Sequence, residues 1–230
     1  MLQALRDQVL AANRALSAHR LVTLTWGNVS GIDREAGAVV IKPSGVSYDT
    51  MTAADLVIVD LDGNALDGEG RPSTDTPTHL ALYRAFDAIG GVVHTHSTWA
   101  TVWAQAQRQI PILGTTHADL CAHPIPVTRP LTRAEIEDDY EGTTGVALVE
   151  AVADRGAEQI PCVLVRGHAP FCWGPSPAAA VENAVTLEEV ARMALLTTVL
   201  EPEVAPLDDA LRDKHFQRKH GSRAYYGQPP

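Results

Sequence analysis

The sequence predicts a mixed α/β or α+β domain built on a largely antiparallel sheet flanked by helices. Three observations carry that expectation. Short apolar, β-branched runs recur at close intervals and are joined by tight turn signals. Helix-periodic stretches lie between them. No internal repeat, low-complexity segment or composition break marks a linker. Of the 230 residues 45% are apolar and 20% charged, which is enough apolar material for a real core, and a single domain over 1–230 is expected.

Residues 2–18 read as an amphipathic helix, because Leu2, Leu5, Val9, Leu10, Ala12 and Leu16 recur at three- and four-residue steps. An apolar run at 21–24 leads into Thr25-Trp26-Gly27-Asn28-Val29-Ser30-Gly31. Asp33-Arg34-Glu35-Ala36-Gly37 reads as a hairpin turn, with 38–43 as the returning strand and a turn at 42–46 ending the pair. Two further strands, 56–61 and 65–66, are joined by Asp62-Gly63-Asn64. After a loop at 71–75, Thr76 is placed as the N-cap and Pro77 as the first residue of a helix running to about Phe86. A strand at 90–96 follows, then a helix at 97–106 and a polar loop at 114–119. Thr132 and Glu135 stand in capping-box spacing at a helix start, and 145–152 reads as another helix. An apolar strand at 162–165 ends at Arg166-Gly167-His168, and 169–174 leads out of it. The longest helix is expected at 177–199. The tail from Asp208 starts helical and ends in Arg223-Ala224-Tyr225-Tyr226-Gly227-Gln228.

The formal net charge of −10 argues against nucleic acid or an anionic membrane as partner. It leaves room for a small anionic substrate, because a pocket can be locally positive. Three cysteines, Cys121, Cys162 and Cys172, with no Cys-x-x-Cys pattern, fit a reduced intracellular protein with buried free thiols. The chain has no apolar stretch of membrane-spanning length, and its N-terminus lacks the regions of a signal peptide, so a cytoplasmic protein without membrane attachment is expected.

The stretch Gly90-Gly91-Val92-Val93-His94-Thr95-His96 carries the first chemical signal. Residues two apart on a strand face the same way, so His94 and His96 can reach a common point. Imidazole is the commonest protein ligand for zinc; the plain alternative is a pair of strand-end histidines bonded to neighbours. His168, also at a strand exit, is a candidate third ligand. Asp75 precedes the helix that feeds the histidine strand, and is either a fourth ligand or a helix N-terminus charge. Three histidines and a carboxylate suit zinc or manganese. A second group, Asn28, Lys42, Ser44, Gly45, Ser73 and Thr74, lies in turns rich in small hydroxyl residues. Lys42 supplies a charge, and Ser73-Thr74 precede a helix start, which suits a phosphate.

Gly27-Asn28-Val29-Ser30, Lys42-Pro43-Ser44-Gly45, Ser73-Thr74-Asp75-Thr76-Pro77-Thr78-His79, His94-Thr95-His96, Gly114-Thr115-Thr116-His117-Ala118-Asp119 and Ala224-Tyr225-Tyr226-Gly227-Gln228 resemble, in order and over essentially the whole chain, the class II aldolase/epimerase (adducin head-like) family. The resemblance implies an α/β fold: a three-layer α/β/α domain with a largely antiparallel central sheet. It implies a cyclic homotetramer with active sites at subunit interfaces. It puts metal ligation on Asp75, His94, His96 and His168, with Zn2+ as the cation and Mn2+ or another divalent ion as the alternative. Phosphate binding falls on Asn28, Lys42, Ser44, Gly45, Ser73 and Thr74. Thr115, Asp119, Glu141, His215 and Tyr226 would line the reacting end, with Asp119, His215 and Tyr226 supplied by a neighbouring subunit.

Within the family, aldolases carry Glu where this chain has Asp75. The shorter Asp suits a ligand that stays on the metal and favours the epimerase branch, interconverting L-ribulose 5-phosphate and D-xylulose 5-phosphate. Inverting C4 requires breaking the C3–C4 bond in a retro-aldol step, since the C4 hydrogen is not acidic. A cation chelating the C2 and C3 oxygens stabilises the resulting enediolate. Two acid/base groups on opposite faces are then needed, and the resemblance points to Tyr226 and Asp119. A sugar-phosphate aldolase using the same enediolate is the alternative, and a non-catalytic scaffold of the same fold is a third possibility. Arg166 departs from the family pattern, which has His-Ser-His-Gly-Pro-Phe around the third histidine.

Overall fold

The computed structural model of the protein describes residues 2–226. Its centre is one seven-stranded sheet: β1 (Asn28–Asp33), β2 (Ala38–Ile41), β3 (Val57–Asp60), β4 (Ala65–Asp67), β5 (Gly91–His94), β6 (Cys162–Leu164) and β7 (Pro170–Gly174). The order is β4-β3-β2-β1-β5-β7-β6, and every neighbouring pair is antiparallel. The hairpin expected at 33–37 joins β1 and β2, and the Asp62-Gly63-Asn64 turn joins β3 and β4.

The central strands are buried on both faces, so helices must cover both. On one face α1 (Gln3–Ala18), α3 (Thr98–Gln105) and α6 (Pro177–Leu200) pack Leu16, Trp103 and Leu187 against Val29, Val93, Cys162 and Cys172. On the other, α2 (Thr76–Ala85) and α5 (Arg133–Val152) pack Leu80, Tyr83, Leu148 and Val152 against Val39, Val59, Val92, Phe171 and Trp173. Val92 and Val93 are adjacent and serve opposite cores, as alternation on a strand requires. The result is the expected three-layer arrangement with an antiparallel sheet. All three cysteines are free and buried, and no described helix is long and apolar enough to cross a membrane.

Four expectations change. The polar loop at 114–119 is instead the short helix α4 (Thr115–Leu120), whose Ala118 and Leu120 are buried. Residues 145–152 are not a separate helix but the end of α5, which begins at the Thr132/Glu135 capping box and kinks at Asp139. Residues 170–174 form a full strand between β5 and β6, because Phe171 and Trp173 fill one core while Cys172 fills the other. At α2 the N-cap is Asp75 rather than Thr76, one residue earlier than expected. The tail helix is α7 (Asp209–His220), which packs on α4.

Candidate metal centre and phosphate pocket

His94 is the last residue of β5. It lies opposite Asn28 of β1 on one side and Phe171 of β7 on the other. Its ring stacks on Phe171, with centroids 4.2 Å apart, and its Nδ1–H donates to the Pro170 carbonyl at 3.0 Å. That bond leaves Nε2 with its lone pair facing outward. His96 lies two residues on. His168 sits on the β6–β7 turn, made possible by Gly167 at φ +72°. The three Nε2 atoms converge: His94 to His96 is 3.1 Å, and His96 to His168 is 3.2 Å. Burial lowers the affinity of all three imidazoles for protons, and that of His168 falls to about 4. At neutral pH three uncharged rings therefore aim lone pairs at one point, an arrangement that a divalent cation relieves. The donor set fits a divalent cation: among the described residues these three are the group whose ligand atoms lie within 4.8 Å of one another.

Asp75 stands beside them in the same cavity but outside that group. It occupies the N-cap position of α2 without using its side chain as a cap. Its Oδ2 instead accepts from Asn28 Nδ2 at 2.6 Å and from the Ser73 hydroxyl at 3.4 Å. Burial works to raise its pKa and is outweighed by the positive potentials of protonated His94 and His79, then by the Asn28 amide and by His168; the net direction is down. With the imidazoles neutral, the Asn28 amide and the more distant Ser73 hydroxyl remain to hold the carboxylate.

At the other end of the cavity Lys42 is buried, only 2% exposed. Its ammonium touches the Thr25 and Pro43 carbonyls and lies 4.9 Å from the centre of the Tyr48 ring. These partners are all neutral, and burial lowers its pKa. A buried cation without an anion beside it favours an anionic ligand. Asn28, Ser44, Gly45, Ser73 and Thr74 line the same cavity, which has a volume of about 540 Å³. Glu141 lines it too.

Several residues that shape the cavity escaped the reading of the sequence. Tyr140 places its hydroxyl 3.2 Å from His168 Nδ1. The Tyr48 hydroxyl shares its one proton between the Trp26 and Gly27 carbonyls, at 2.8 and 2.7 Å. Gly27 has φ +76°, and a Cβ there would meet the His94 carbonyl at 2.7 Å. Trp26 tilts over His96 with ring centres 6.1 Å apart. The α5 kink positions Tyr140 and Glu141. Asp139 leaves helical geometry and its carboxylate accepts from the Gly142 N–H, restarting the helix. Asp139-x-x-Gly142 inside a helical stretch was the available signal.

Thr115, Asp119, His215 and Tyr226 do not join this cavity within the chain. Asp119 meets His215 at 3.2 Å and Arg218 at 2.7 Å. Arg218 also lies 4.8 Å from the centre of the Tyr226 ring. Asp119 and Tyr226 thus share one guanidinium. Thr115 begins α4, the helix that carries Asp119.

Comparison with known proteins agrees with this geometry. Residues 7–195 match the model of the class II aldolase and adducin N-terminal domain. The L-ribulose-5-phosphate 4-epimerase UlaF of Salmonella paratyphi B is 53% identical over 227 residues, 99% of this chain and 100% of the relative. The UlaF protein of Salmonella typhi is similar to the same extent. Among solved structures, an L-fuculose 1-phosphate aldolase superposes with a TM-score of 0.81 at 24% identity, covering 94% of this chain and 95% of that one. The L-fuculose 1-phosphate aldolase from Glaciozyma antarctica does so at 0.75 and 20% identity, covering 94% and 81%.

Proposed function

Because this chain belongs to the class II aldolase and adducin N-terminal domain family, we propose that it is a divalent-metal-dependent epimerase that interconverts L-ribulose 5-phosphate and D-xylulose 5-phosphate. The observation that carries the reading is one cavity with three converging neutral imidazoles at one end and, at the other, a buried ammonium whose partners among the described residues are all neutral. The 53% identity to curated epimerases over full length supports the choice of substrate.

His94, His96, His168 and Asp75 would hold the cation, Zn2+ by the nitrogen-rich donor set, with Mn2+ the alternative. When bound, it supplies Lewis acidity to the ketone end of the substrate. Lys42, with Asn28, Ser44, Gly45, Ser73 and Thr74, binds the phosphate. These contacts retain the two-carbon aldehyde phosphate after the C3–C4 bond breaks. The electron pair stays on C3, and the aldehyde turns to present its other face before the bond re-forms. The C4 oxygen loses a proton on one face and gains one on the other, so one group on each side must accept and return it. Asp119 and Tyr226 take those roles from a neighbouring subunit of a homotetramer, with His215 beside Asp119; Glu141 and Thr115 line the reacting end. The chain's separation of the Asp119–Tyr226 cluster from the imidazoles supports supply from a second copy. The proposed compartment is the cytoplasm.

Incubation with L-ribulose 5-phosphate, with and without a chelator, tests this. D-xylulose 5-phosphate forms in the untreated sample, stops with chelator and returns on adding zinc or manganese. Release of free glycolaldehyde phosphate at the rate of turnover would instead favour an aldolase. Absence of both products at every metal concentration would sink the enzymatic reading.

A further inference from the structure

Beneath the cavity, on the sheet face covered by α2, lies a row of buried polar side chains that the proposed chemistry does not use. Ser30 Oγ is 2.7 Å from His79 Nδ1 and 2.8 Å from the Tyr83 hydroxyl. His79 is fully buried, and its ring bonds a neutral hydroxyl and no carboxylate, so the neutral form is the one the site favours.

Counting protons gives the row a direction. The Tyr83 phenol has one proton, and Ser30 Oγ is the acceptor placed to take it. Ser30 therefore spends its own proton on His79 Nδ1. The single proton of the neutral imidazole must then sit on Nε2. That Nε2 is buried and has no partner among the described residues.

The complementary orphan is close in the fold. Asn28 spends both amide hydrogens, one on Ser73 Oγ at 2.9 Å and one on Asp75 Oδ2 at 2.6 Å. Turning the amide over would point its oxygen at the carboxylate, so this orientation is the favourable one. Its Oδ1 is then a buried acceptor without a donor. Asn28 and Ser30 lie two apart on β1 and share a face. His79 is one turn beyond Asp75 on α2, and its N–H donates to the Asp75 carbonyl. One buried donor and one buried acceptor thus belong to residues that are both bonded to Asp75, His79 through its backbone and Asn28 through its amide.

We propose that His79 is a positioning residue for Asp75, its Nε2–H joined to Asn28 Oδ1 through one buried water. This closes a one-way hydrogen-bond chain: Tyr83 to Ser30, to His79, to the water and to Asn28, whose amide grips the carboxylate. A buried water of this kind has the two polar partners it needs, and orienting a ligand from behind is a recognised means of tuning metal affinity. The inference rests on the reading of Asp75, His94, His96 and His168 as a cation site.

Nitrogen-15 NMR of the imidazoles in the full-length protein tests the chain. His79 should be the neutral Nε2–H tautomer and should not titrate through neutral pH. An Nδ1–H tautomer or a charged ring would overturn the relay alone. Zinc affinity, measured by chelator competition on folded variants, tests the positioning role. His79→Leu should weaken zinc binding about tenfold. His79→Gln, which restores a donor near the Nε2 position, should recover most of it. In an Asn28→Leu background His79→Leu should add nothing, whereas a merely structural histidine would add its own loss. Undiminished zinc binding by His79→Leu, or losses that simply add, would overturn the proposal. Wild-type protein that binds no zinc would overturn the cation reading instead. Should His79→Leu fail to fold, Ser30→Ala serves: it should change the His79 signature and leave that of His117 alone, and an unchanged His79 refutes the chain.

Discussion

Single side chains set the chemistry of the cavity, and Lys42 is the sharpest case. Its long stem reaches a neutral, buried position where only carbonyls and an aromatic face meet the charge. Lys42→Met keeps the stem volume and removes the charge. A charge-assisted hydrogen bond contributes about 1.5–3 kcal/mol, so KM for the sugar phosphate should rise at least about tenfold. Thermal stability should hold or increase, because an unpaired buried charge is lost, and zinc affinity should not change. Steady-state kinetics and a melting curve check this; an unaltered KM removes Lys42 from the phosphate site. The residue types here were legible from the sequence. Their burial was not, since Lys42 follows an ordinary apolar strand and precedes an ordinary turn.

Among elements, α5 shows how local chemistry reaches the site. Its start is a capping box visible in Thr132 and Glu135, and both hydrogen bonds form. Its interior break at Asp139 turns Tyr140 toward His168 and Glu141 into the cavity. The Thr143 and Thr144 hydroxyls take up the Asp139 and Tyr140 carbonyls, so the break leaves those groups satisfied. Thr132→Ala and Asp139→Ala each remove one cap and should each cost about 1 kcal/mol, a few degrees in Tm for a chain of this size. Only Asp139→Ala should also lower turnover, because only that cap positions cavity residues. Equal activity in the two variants would show the kink to be irrelevant to function. The strands and the long helix were readable because their patterns are local. The strand at 170–174 was missed because buried Cys172 and Trp173 look alike in hydropathy while facing opposite cores.

For the molecule as a whole, buried neutral histidines make stability depend on pH. His79 and His117 have pKa values depressed by burial to about 3 and about 4, against an ordinary value near 6.5. Below about pH 6.5 the unfolded chain binds protons that the folded chain refuses. Stability is therefore full above that pH and falls as acid is added, down to the folded values. His117 alone contributes a loss of about 3 kcal/mol at 1.36 kcal/mol per unit. Denaturant midpoints of the metal-free protein should drop steadily from neutral pH toward about 4. A flat profile would mean that these rings are hydrated or charged when folded. Substituting His117 by an apolar residue should remove its share of the slope.

The sequence by itself determined the secondary structure of the strongly periodic segments, the sheet-and-helix class and the identity of the nitrogen and oxygen donors. Turn chemistry, strand alternation and ligand type are local properties and can be read along the chain. The tertiary structure alone decided which donors meet. His168 joins His94 and His96 only because β7 pairs β5 and brings the β6–β7 turn alongside. Asn28 reaches Asp75 only because β1 lies on the other side of β5. Asp119 and Tyr226 stay apart from that centre because α4 and α7 pack together elsewhere. Contacts between residues tens of positions apart are set by core packing and strand order, which no short stretch of sequence encodes.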